Sequence, residues 1–172
     1  MVTPFKLGAT LALLGLLALL VATDDQRGYI HVIDDANLLF HEAGHPLYGI
    51  FGETAELYGG TLGQLTFPLV AVGVFWWRRQ AVSLVFASAW LFENFFNIAR
   101  YLADARAQEL PLLGGGEHDW EHILTRWGAL ESDTAIARVV RVIAWIGMLA
   151  PVAWVAWRFR RDRGRPVPLD EV

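Results

Sequence analysis

Four stretches of this chain, 7–22, 62–77, 81–102 and 139–157, are too long and too uniformly apolar for the core of a small water-soluble domain. Each approaches the length a helix needs to cross a hydrocarbon layer of about 30 Å, so together they constrain the fold more than any other feature. They predict an all-α architecture: a polytopic helical membrane protein with about four transmembrane helices, built as a single domain over 1–172. Composition agrees, since 55% of the residues are hydrophobic and only 19% are charged. That balance, with a net charge of -4, points to the lipid bilayer as partner and excludes a disordered or nucleic-acid-coating chain.

The first run follows Lys6 and exits through Val21, Ala22, Thr23 and Asp24. It lacks the pair of small residues that a signal-peptide cleavage site requires, so 7–22 is expected to be a retained anchor. The segment 36–51 differs from the other runs. It is apolar at most positions yet carries His41, Glu42 and His45, and it is too short to span, which predicts a short or re-entrant helix starting after Asp34 or Asp35. Pro46 is expected to kink or end it. Gly59, Gly60 and Gly63 then suggest a turn before the second run.

Basic residues set the expected orientation. Lys6, Arg78, Arg79 and the arginines of the tail 158–172 all favour the cytoplasm, and four spans satisfy the three groups, leaving the C-terminus cytoplasmic. Arg138 and Arg141 fall on the opposite side. The 36–51 helix and the polar loop 103–132, with a short helix expected near Trp120 to Trp127, then share the outer side.

The sequence has no cysteine and five histidines, so a metal would have to be held by His and carboxylates. His41-Glu42-Ala43-Gly44-His45 is an HExxH motif. Positions i and i+4 of a helix project from one face and can hold one Zn²⁺, and the Glu beside them can reach a water on that ion. Two His and a Glu are costly to insert in an apolar run without a partner cation. A catalytic zinc takes three protein ligands, and His118 in the loop sequence HDWEH is the first expectation for the third, with Asp104, Asp119 and His122 as alternatives. HDWEH also fits the inverted H-x-x-E-H pattern. In the third run, Trp90, Glu93, Asn94, Asn97, Arg100, Tyr101, Asp104 and Gln108 share one helical face, expected to form a cavity wall beneath the metal or interhelical hydrogen-bond contacts.

The FHEAGH segment in an apolar run, the following Gly-Gly pair, and the Asn and Asp on later runs resemble the site-2 protease type of intramembrane zinc metalloprotease. The chain also resembles small bacterial integral membrane proteins that share FHEAGH, a GG-x-L-x-Q-L stretch and ADARAQ-x-LPLLGG-x-x-HDW. The first resemblance implies that His41 and His45 bind the metal and that Glu42 is the general base. Site-2 proteases draw their third ligand from an Asp-Gly motif, whereas Asp104 here precedes Ala105. The second resemblance implies a bacterial inner membrane. The function expected is zinc-dependent hydrolysis of a membrane-associated peptide. Hydrolysis of a lipid amide or ester, or a non-enzymatic metal-binding structural role, are the alternatives.

Overall fold

A computed structural model describes residues 4–23, 33–112 and 117–162. Among them every regular element is helical: α1 (Pro4–Thr23), α2 (Ile33–Gly49), α3 (Glu53–Trp77), α4 (Ala81–Ala103), α5 (Asp119–Arg126) and α6 (Asp133–Asp162), with a 3-10 turn at Leu130–Ser132 before α6. Among the described residues three segments are long and apolar enough to cross a membrane: Glu53–Trp77, Ala81–Ala103 and Leu130–Arg161. They contain the expected runs 62–77, 81–102 and 139–157, and the run 7–22 lies within α1. The arginines beyond 162 fall outside the described residues.

α4 is the centre of the bundle. It packs along α6 and α3 and touches α1, α2 and α5. At one end, Leu14 of α1, Val85 and Ala89 of α4 and Val155 of α6 form a core cluster flanked by Leu7, Ala81 and Phe159. At the other end Leu102, Ala105, Leu124 and Ala137 close the bundle under α5. The outward faces of α3 and α6 are apolar, with Phe67, Leu69, Val70 and Val74 exposed on one and Val139, Val142, Ile146 and Leu149 on the other. Faces of this kind suit lipid rather than water.

The glycines correct one expectation. Gly59, Gly60 and Gly63 lie inside α3 rather than in a turn, and the turn falls earlier, at Ile50 and Phe51, before the N-cap Gly52, which adopts φ 109°. Gly44 of α2 faces them. A Cβ on Gly44 or Gly59 would overlap the other's backbone, and one on Gly63 would overlap Phe40 and Gly44. The missing side chains let two antiparallel helices approach to backbone contact, as small residues do between membrane helices, which outweighs the low helix propensity of glycine. Pro46 likewise sits inside α2, which runs only to Gly49. Lacking an N–H, it leaves the Glu42 carbonyl without its helical donor.

Candidate metal centre

Asp34, Asn37, His41 and Gly44 are the buried residues of α2, spaced three, four and three apart, so one face of the helix carries both the polar groups and the glycine contact. His41 lies flat on Gly60, where any Cβ would collide with the imidazole ring. His45 sits one turn further along, its ring 5.0 Å from that of His41 at an interplanar angle of 73°.

Both imidazoles are held at the inner nitrogen. His45 Nδ1 donates to the Glu56 carbonyl at 2.9 Å, and His41 Nδ1 lies 2.9 Å from Oε1 of the buried Gln64. Both outer nitrogens meet the same carboxylate oxygen: Asp119 Oδ2 is 2.9 Å from His41 Nε2 and 3.3 Å from His45 Nε2. The donor atoms of the three side chains fall within 4.8 Å of one another. Two ligands at about 2.0–2.2 Å from one tetrahedral zinc lie roughly 3.3 Å apart, so the donor set fits that ion with little rearrangement. Oxygen acceptors on both Nδ1 atoms are the usual support of ligating histidines, because they fix which nitrogen is left to bind.

Without a cation the cluster is an ion pair. Burial pushes the Asp119 carboxyl up, but hydrogen bonds from His41 and His45 outweigh it and bring the group down to about 2. The hydrogen bond to Asp119 raises His45 against the opposing effect of burial, with help from Glu56 and the charge of Glu42, to about 9. Glu42 is exposed at the rim.

The structure brings Asp119, an alternative in the sequence reading, to the two histidines. His118, the first expectation, does something else. It caps α5, with Nδ1 accepting from Glu121 N at 3.3 Å, and its buried ring packs at a tilt against Tyr101, 4.1 Å between centroids. Its Nε2 faces Asp104 Oδ2 at 3.5 Å, and burial lowers its pKa against the pull of Asp104. Asp104 accepts from the backbone N–H groups of Glu109 and Leu110, pinning the loop after α4. Tyr101 accepts from the backbone N–H of Asp119 at 3.1 Å, and its ring lies 5.7 Å from that of His41. His118, Asp104 and Tyr101 therefore position Asp119. His122 points outward to Glu117 at 2.9 Å, so the two histidines of HDWEH do not converge.

Asn97 stands beneath the site, accepting from Gln64 Nε2 at 3.1 Å and donating to Asp34 Oδ1 at 2.8 Å. Gln64, Asp34 and Asn37 were not singled out for chemistry by the sequence reading. The helical spacing of Asp34, Asn37 and His41 was the available signal, obscured because Asp34 also suits an N-cap. Gln64 follows Gly60 by one turn, a relation visible only once the glycines are placed in a helix. No family model, curated protein or solved structure matches this chain.

Proposed function

We propose that this chain is a zinc-dependent hydrolase of a bacterial inner membrane, acting as a metalloprotease on membrane-associated peptides. One observation carries the reading: the outer nitrogens of an HExxH pair converge on a single carboxylate oxygen while both inner nitrogens are tied to oxygen acceptors. His41, His45 and Asp119 would hold the ion. When bound, zinc supplies Lewis acidity that activates water and polarises the scissile carbonyl. Glu42 takes the water's proton and returns it to the leaving nitrogen. The exposure of Glu42 beside His41 suits that role, and the resemblance to site-2 proteases agrees with it.

Membrane insertion with the site end outward is part of the proposal. Leu7, Ala81 and Phe159 pack against one core cluster, so the start of α1 lies with Arg78, Arg79, Arg158, Arg160 and Arg161 at the end opposite α5. Positive charge on that scale favours the cytoplasmic face and a cytoplasmic C-terminus. A second substrate class has its own support. A largely apolar cavity of about 320 Å³, lined by Leu14, Leu17, Ala36, Phe86, Trp90 and the carboxyl-bearing Glu93, opens between α1, α2 and α4, and has the size for the chain of a lipid amide or ester.

The test is hydrolysis of membrane peptides and of lipid amides by the full chain in detergent with zinc, wild type beside Glu42→Gln. Glu42→Gln is expected to keep its metal and lose turnover. Equal turnover in both would remove Glu42 as the base, and bound metal with no turnover of either substrate class would favour the non-enzymatic role.

A further inference from the structure

The imidazole of His41 is the end of a chain of hydrogen bonds through three helices. His41 Nδ1 meets Gln64 Oε1 at 2.9 Å, Gln64 Nε2 donates to Asn97 Oδ1 at 3.1 Å, and Asn97 Nδ2 donates to Asp34 Oδ1 at 2.8 Å. A carboxamide turned by 180° keeps its shape but exchanges donor for acceptor, so a lone Gln64 could offer His41 either face. The far end of the chain decides. Asp34 Oδ1 accepts from Asn97, so Asn97 turns its NH₂ to Asp34 and its oxygen to Gln64. Gln64 must then turn its NH₂ to Asn97 and its oxygen to His41, which requires a proton on His41 Nδ1.

We infer that Gln64, Asn97 and Asp34 are positioning residues forming a directional relay, which fixes the proton of His41 on Nδ1 and keeps Nε2 open as a metal ligand. The inference rests on the reading of His41 as a ligand. Reversal of the chain would set the Gln64 NH₂ against Nδ1, draw the proton to Nε2 and close the site to a cation. The same logic orients the layer below. Trp90 Nε1 only donates, so Asn37 turns its oxygen to Trp90 at 3.0 Å and its NH₂ to Glu93 Oε2 at 2.6 Å. The relay gives the polar face of α4 a purpose beyond interhelical contact, because contact alone would tolerate either orientation of each amide.

The experiment is Co²⁺ titration by absorbance on the full chain in detergent, with ¹⁵N-imidazole NMR of the zinc-loaded protein. Asn97→Leu, which frees Gln64 to turn, is expected to weaken Co²⁺ binding by about 10–100-fold, the usual effect of losing support behind a ligand, while helix content stays unchanged. Adding Gln64→Glu to Asn97→Leu is expected to recover most of that loss, since a carboxylate presents an acceptor in either rotation. In zinc-loaded wild type, NMR is expected to show His41 protonated at Nδ1 and ligated through Nε2. Unchanged affinity in Asn97→Leu, a loss that Gln64→Glu does not recover, or ligation through Nδ1 would overturn the relay alone. A wild type that binds no cobalt would overturn the metal reading and the relay with it.

Discussion

At the scale of the residue, the site depends on atoms that are absent as much as on those present. Gly60 leaves the floor on which the His41 ring rests. Gly60→Ala is expected to displace the imidazole and weaken zinc binding by at least about tenfold, the range seen when support behind a ligand is lost. Zinc titration beside circular dichroism checks this, and unchanged affinity would count against the placement of His41. The ion pair sets the pH response. A raised His45 contributes stability fully below its ordinary value of 6.5 and loses it as pH climbs through about 9; a depressed Asp119 contributes above 3.8 and loses its part as pH falls through about 2. Metal-free protein should therefore lose thermal stability between pH 6.5 and 9. Zinc must displace the His45 proton, so its apparent affinity should rise about tenfold per pH unit in that window. A pH-independent affinity would contradict the ion-pair description.

At the scale of the element, α2 and α3 form the half of the site that the sequence shows most directly. The HExxH spacing was legible because the i, i+4 relation is local. The identity of the third partner was not. His118 and Asp119 are neighbours, and the choice between them rests on the capping of α5, which gives the His118 side chain to a backbone N–H and swings Asp119 towards α2. The glycines misled for a related reason: glycine marks a turn in isolation, yet here Gly59 and Gly63 mark where another backbone touches the helix and Gly60 marks where the His41 ring does. Gly44→Ala tests that contact. It is expected to destabilise the bundle by about 1–3 kcal/mol through overpacking, measured by unfolding in detergent, because backbone atoms cannot move aside as a flexible side chain can. No change in stability would mean that the helices are not packed at that distance. Arg106 plays the corresponding part after α4, donating to Asp133 and Glu131 and so tying the loop to the start of α6.

At the scale of the whole molecule, hydropathy foretold the helical class and the long apolar segments, since length and composition alone decide what can cross a bilayer. It could not foretell that α4 would be central, packed along α6 and α3 while Glu93 and Asn97 bond to side chains of α2 and α3. The absence of cysteine makes orientation easy to test with single introduced thiols. In inside-out vesicles, Gln80→Cys is expected to react with a membrane-impermeant maleimide and Ser132→Cys is not; the reverse pattern would invert the proposed topology.

The central claim is that one metal is held between α2 and α5 by His41, His45 and Asp119. Its most direct test is elemental analysis of the detergent-purified chain, comparing wild type with Asp119→Ala and with His118→Asn, which preserves an N-cap acceptor for α5. About one zinc per chain is expected in wild type and in His118→Asn, and none in Asp119→Ala. Zinc retained without Asp119, or lost with His118, would contradict that claim.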